Sequence, residues 1–438
     1  MNNSSELLKN NKKYEIWAVY GLSLILLGIA VTRASVQGIT YDEAYTYIRY
    51  ALPIAKTTLG GILNDVIVFS KTALANNHWL NTLLISFVTM VTRVEWSEFL
   101  IRLPVLLFGG IYYFGVARFK LSGKINLAEF IFLEFSYYLN EYFSLARGYG
   151  MCVCLVFLGI MYYKSYCDSG SNVDLWIGIF ALVISTYANS VSLIICFAVA
   201  AVFVLQKLIS KDLRSFILKN KFKILIVVAL LLYIVYYHFR VSDIEAGMPL
   251  YMEKSPGLIH YVRQFFFLCF YIDGIPAPVA IGVFAVFAVI VLFAVRKNIL
   301  KEAPVGLSLL ICCLMLLLMD VVFRRGGLMY RTLLPFYPLL IIGLSELISC
   351  AIKNVRMLMK NKSTKKLSGR MYIAMLTVIS LAIIVINFRS FNIRFVNEWS
   401  FEKNVKYEVY SGDWHCAIED DPSYPFYENQ MEWNLNRK

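Results

Sequence analysis

Two kinds of side chain in this sequence have the chemistry to act on another molecule: an acidic pair near the N-terminal end, and arginines that recur far along the chain. The acidic pair lies in Gly38-Ile39-Thr40-Tyr41-Asp42-Glu43-Ala44-Tyr45. Thr40 and Glu43 have the spacing of a capping box, in which Thr40 caps a helix start and Glu43 bonds back to its backbone. Asp42 then falls in the first helical turn, where the positive end of the dipole keeps a carboxylate ionised. An ionised carboxylate suits a general base. The plainer reading is that Asp42 only supports the helix start.

The arginines are densest in Arg324-Arg325-Gly326-Gly327-Leu328-Met329-Tyr330-Arg331. Three guanidinium forks and the backbone amides of a Gly-Gly turn match a phosphate, and arginine fits better than lysine because it grips two oxygens and stays charged. The competing reading is anchorage to lipid headgroups, and Asp320 could pair with Arg324. A further cation, Arg147, adjoins the tight turn Gly148-Tyr149-Gly150 and invites a partner. Asn76-Asn77-His78-Trp79-Leu80-Asn81 is either a hydrogen-bonding wall for a hydroxyl-rich ligand or a helix cap with an interfacial Trp79. Arg102 follows a helix start that Ser97 would cap, and it reads as a side chain snorkelling to the interface.

The elements that must position these groups are membrane spans. Of 438 residues, 59% are hydrophobic and 16% charged, against about 25% charged in a soluble domain. The apolar residues fall in blocks long enough for a bilayer core that needs around 20 helical residues. The chain therefore reads as an all-α polytopic membrane protein, and the net charge of +13 becomes a question of sidedness rather than of nucleic-acid binding. Lys9, Lys12 and Lys13 precede the first block, 16–35, which places the N-terminus in the cytoplasm. The basic connectors 118–124, 207–223, 296–301 and 353–370 share that side if spans run 99–117, 127–143, 148–163, 175–190, 191–206, 222–240, 277–295, 305–323, 332–350 and 371–388. That makes about 11 transmembrane helices. Residues 79–94 read as a short or re-entrant helix at the outer face, behind a long first outer loop, 36–78. Loop 241–276 and the tail 389–438 also lie outside, so residues 1–388 form the transmembrane domain.

No GxxxxGK[ST] or GxGxxG is present, which argues against an ATP-driven pump. The nine cysteines imply no outer disulfide framework, and the four histidines give no zinc spacing.

Taken in order, these pieces resemble the GT-C superfamily of membrane glycosyltransferases, in its family 39-like, protein mannosyltransferase and aminoarabinose transferase branch. The elements that carry the resemblance are Asp42-Glu43 after the first span, His78 at a helix start, Ser97 to Pro104 as S-E-x-x-x-R-L-P, Ala146 to Tyr149, and Tyr330-Arg331-Thr332-Leu333-Leu334-Pro335. They cover residues 38–338. His78-Trp79-Leu80 stands where that family has His-Pro-Pro, which bears on the acceptor or sugar subgroup.

The resemblance implies a GT-C fold and transfer of a sugar from a polyprenyl-phosphate donor to a glycan, lipid or protein hydroxyl at the outer face of a bacterial inner membrane, with inversion. It implies Asp42 as base with Glu43 beside it, and Arg331, Arg324, Arg325, Arg147 and Tyr330 around the donor phosphate. Asn77, His78 and Tyr45 would touch sugar or acceptor. No cofactor is expected to be required; a divalent metal is possible, with Glu43 a candidate ligand. The expected partners are the lipid-linked sugar, its acceptor and membrane lipids, with no nucleic acid. Two other readings stay open: a secondary transporter or flippase of an anionic lipid or solute, which needs ionisable groups near the midplane such as Glu134 and Asp320, and a noncatalytic scaffold.

Overall fold

The structure, a computed structural model, describes residues 2–37, 43, 46–57, 61, 78–94, 97–244, 257–272, 275–295, 298–323, 330–358, 378, 381 and 384–391. Among them every regular element is a helix. Helix α1 spans Asn2–Val36, and after a π-helical turn at Thr46–Ala51 come α2 (Leu52–Ala55), α3 (Trp79–Thr92) and α4 (Glu98–Leu121). A broken pair follows, α5 (Leu127–Phe135) and α6 (Tyr137–Tyr142), then α7 (Gly148–Ser169), α8 (Asn172–Ala188) and α9 (Ser192–Ile209). Helices α10 (Leu213–Lys219), α11 (Lys221–Ile244), α12 (Gly257–Phe270), α13 (Ala277–Ala294), α14 (Ile299–Glu302) and α15 (Pro304–Phe323) lead to a 3-10 helix, Tyr330–Phe336, and α16 (Tyr337–Leu358).

Local sequence explains many of the boundaries. The Ser97 hydroxyl accepts from the Leu100 amide at 3.3 Å to start α4, and the Ser171 hydroxyl does the same for Asp174 in α8. Asn126 and Glu129 form a complete capping box ahead of α5. Among the described residues six helical stretches are long and apolar enough to cross a membrane: Lys12–Val36, Glu98–Leu121, Gly148–Ser169, Ser192–Ile209, Ala277–Ala294 and Arg331–Val355. Large apolar side chains stay exposed on α1, α11 and α13, for instance Leu24, Leu232 and Leu292. An all-α, multi-pass membrane protein accounts for such an apolar exterior.

Helices α7 and α8 form the tightest antiparallel pair. A Cβ on Gly178 would lie 3.0 Å from the carbonyl oxygen of Gly159, so the two backbones meet at a point where only glycine fits. Helix α4 packs between α1 and α7, while α15 and α16 pack on each other behind them.

Two features differ from the expected spans. Residues 127–143 are not one continuous helix but are interrupted at Ser136, whose backbone is extended. In a membrane interior the freed backbone groups need partners, and side chains supply them. The Tyr337 hydroxyl donates to the Phe132 carbonyl (2.6 Å), Tyr112 to that of Leu133 (3.0 Å) and the Asn140 amide to that of Glu134 (2.9 Å). The Tyr137 amide donates to Asn387 (3.2 Å). The second difference is α12, a buried-faced helix within the stretch expected to be the outer loop 241–276. Its Tyr261, Gln264, Phe267 and Leu268 pack inward, and Phe267 meets the Tyr138 ring at 5.1 Å.

Charge is segregated along the bundle. One end carries the Lys120–Glu15, Lys124–Asp168, Lys164–Glu346 and Lys353–Glu302 pairs. There the Lys353 ammonium, bonded to Glu302, lowers the Glu302 carboxyl below its usual range. The opposite end, where α1 and α8 finish and α3, α4 and α7 begin, holds the candidate site.

Candidate functional site

The anchor of this end is an ion pair that the sequence does not reveal. Glu43 and Arg102 are both fully buried. Arg102 Nε donates to Glu43 Oε1 and Nη2 to Oε2, each at 2.8 Å, a two-pronged contact. Arg102 Nη1 also donates to the carbonyls of Ala34 (2.9 Å) and Gln37 (2.7 Å), while Glu43 Oε1 accepts the Ala146 amide at 2.6 Å. One charge pair thus ties together the end of α1, the segment holding Glu43, the first turn of α4 and the turn ahead of α7. The expectation that Arg102 snorkels to the interface is corrected: with a carboxylate and two carbonyls to satisfy it, the guanidinium stays inside. Glu43, expected beside the base or as a metal ligand, is bonded to Arg102 and to the Ala146 amide.

Arg147 immediately precedes α7 in extended backbone and is nearly buried. Its Nη1 donates to Thr46 Oγ1 at 3.3 Å, and its guanidinium carbon lies 5.9 Å from the centre of the Tyr149 ring. Gly148 must be glycine here: a Cβ would overlap the carbonyl oxygen of Ala188 and approach His78 Cβ to 2.6 Å. Absence of a side chain at Gly148 therefore lets the end of α8 and the start of α3 close on the start of α7.

His78 immediately precedes α3 and is buried at 7% exposure. Its Nδ1 lies 2.9 Å from the Ala188 carbonyl, and since that oxygen only accepts, Nδ1 carries the proton. The ring sits edge-on to Tyr149 at 4.5 Å. Burial, reinforced by the charge of Arg147 and more weakly by that of Arg331, holds the imidazole well below the ordinary histidine range, so it is neutral. One turn on, Asn81 is fully buried and its Nδ2 donates to the Ala146 carbonyl at 2.8 Å. Trp79 turns the other way, against Tyr187 (5.5 Å) and Tyr233 (5.8 Å).

Arg331 reaches this end from the 3-10 helix, which packs on α7 and α12 and is pinned by the buried Leu333, Leu334 and Phe336. Arg331 is half-buried. Of the residues singled out in the sequence, the structure gathers Glu43, His78, Arg147 and Arg331 at one end of the bundle. Asp42, Tyr45, Asn77, Arg324 and Arg325 lie outside the described residues, as does the side chain of Tyr330, whose backbone opens the 3-10 helix. Asn81, which the sequence marks only as one polar group ahead of an apolar run, proves integral; its signal was the i, i+3 spacing from His78. Among the described residues no group of three His, Cys, Asp or Glu side chains could hold a metal ion.

Fold and site together define a helical membrane protein with cations, a neutral histidine and a buried ion pair converging at one end. Comparison with known protein families, with curated proteins and with solved structures found no match to this chain.

Proposed function

We propose that the protein is a GT-C-type glycosyltransferase of a bacterial inner membrane that moves a sugar from a polyprenyl-phosphate donor to a hydroxyl acceptor at the outer face. The observation that carries this reading is the convergence of Arg147, Arg331 and neutral His78 around the start of α7, next to the Glu43–Arg102 pair. Glu43, the chain neighbour of Asp42, is held by Arg102 and the Ala146 amide. In this reading Asp42 removes the acceptor proton, and the arginines stabilise the phosphate as its charge grows on leaving.

The segregation of Lys120, Lys124, Lys164 and Lys353 to the other end supports a cytoplasmic N-terminus by the positive-inside rule. At 14 residues, α3 is about 21 Å long, short of a roughly 30 Å hydrocarbon core, which agrees with a re-entrant element.

The test incubates membranes holding wild type, Asp42→Asn or Arg331→Ala with a panel of polyprenyl-phosphate sugars and identifies glycosylated products by mass spectrometry. Asp42→Asn should abolish transfer in a folded, inserted protein, and Arg331→Ala should weaken donor use, with Arg331→Lys rescuing poorly. Normal transfer by Asp42→Asn rejects the base assignment. A transporter is the second reading, favoured by Glu134, which is fully buried beside the α5–α6 break with Ser23 as its hydroxyl partner at 3.0 Å. Counterflow of a labelled anionic solute with no glycosylated product would select it.

A further inference from the structure

Two side chains at the start of α3, His78 just before it and Asn81 in its first turn, are held so that each leaves one hydrogen-bond acceptor bare. The Nδ1–H of His78 is committed to the Ala188 carbonyl, so the neutral ring offers only the lone pair of Nε2. Asn81 Nδ2 is committed to the Ala146 carbonyl, so its amide cannot turn over and Oδ1 is the free end. Among the described residues neither Nε2 nor Oδ1 has a hydrogen-bond partner, and both atoms are buried. A buried acceptor left unmatched costs about 1–3 kcal/mol, and the two residues stand three positions apart at the start of α3. One commitment runs to the residue before Arg147 and the other to the end of α8, against which Gly148 packs, so the bare acceptors are fixed relative to the start of α7.

We propose that His78 and Asn81 form a hydroxyl-recognition subsite that receives two hydroxyl groups of the donor's sugar, with Asn81 a specificity-determining residue. This rests on the transferase reading and deepens it. Acceptors repel a phosphate and attract hydroxyl protons, so the two ends of one donor would divide between them: phosphate to Arg331 and Arg147, sugar to α3. A lipid phosphate without a sugar would leave the α3 acceptors unmatched. The subsite therefore discriminates by the sugar and not by the lipid.

The experiment uses the full chain in phosphatidylcholine nanodiscs, with binding of polyprenyl phosphate and of polyprenyl-phosphate-linked hexose measured by titration. Two net hydrogen bonds predict that the hexose-bearing lipid binds wild type about tenfold more tightly than the bare one. Asn81→Leu, with the same number of side-chain heavy atoms but no acceptor, and His78→Phe, which keeps a ring against Tyr149, should each reduce that ratio by several-fold. Retention of the full ratio in both variants, or its absence in wild type, overturns the inference. Arg331→Ala separates the two layers: weaker binding of bare polyprenyl phosphate upholds the phosphate site even where the sugar ratio is absent, whereas unchanged binding rejects the phosphate site itself and the donor pose built on it.

Discussion

The Glu43–Arg102 pair makes the most demanding prediction, because its partners are enclosed and the cost of breaking it can be worked from its bonds. Arg102→Met keeps an apolar stem of similar length but strands the Glu43 carboxylate and removes the donor to the Ala34 and Gln37 carbonyls. Breaking a buried pair from one side costs about 3–5 kcal/mol, and each carbonyl left bare adds on the order of 1 kcal/mol. Glu43→Gln strands the guanidinium instead, yet keeps an oxygen for the Ala146 amide, so it should cost less than Arg102→Met. Joining Glu43→Gln to Arg102→Met leaves a neutral amide in place of a lone charge. The double variant should then recover about 2 kcal/mol or more relative to the sum of the singles. Reversible unfolding in mixed detergent micelles, read by circular dichroism across the four proteins, yields this coupling energy. Additive single effects would refute the idea that the two charges depend on each other. Single variants as stable as wild type would refute the enclosed pair altogether.

Two further predictions concern the same end of the molecule. His78 has its folded pKa depressed by burial and by Arg147, so its contribution is present above the unfolded value near pH 6.5 and is lost as pH falls towards the folded value; stability should drop below about pH 6.5 by up to roughly 1.4 kcal/mol per pH unit. The pH dependence of unfolding measures this, and His78→Phe should flatten the slope between pH 6.5 and 5 if His78 is its source. Gly148→Ala should force α3 and α8 away from the start of α7, costing about 1–3 kcal/mol as overpacking does; a melting curve and donor titration matching wild type would show that the helices can separate freely.

How much of this could be read in advance depends on whether the signal is local. Apolar blocks and caps are local: Ser97 caps α4 as its spacing implies, and the expected starts at 148, 277 and 305 fall within a residue of α7, α13 and α15. The break at Ser136 is not local. Leu127 to Phe143 reads as an unbroken apolar helix because the tyrosines that satisfy its freed carbonyls, Tyr112 and Tyr337, come from α4 and α16. Helix α12 was hidden for the opposite reason: His260, Arg263 and Gln264 make residues 257–270 look like a polar connector, although the inward stripe of Tyr261, Gln264 and Leu268 is what docks it.

The site shows the same division at finer scale. Residue type alone pointed to Arg147, Arg331 and His78, since cations and a histidine at a membrane protein's helix ends are costly enough to stand out. It gave no hint of which carboxylate each cation faces. Arg102 and Glu43 are 59 positions apart and meet at 2.8 Å, and that meeting turns an arginine resembling a headgroup anchor into a clamp.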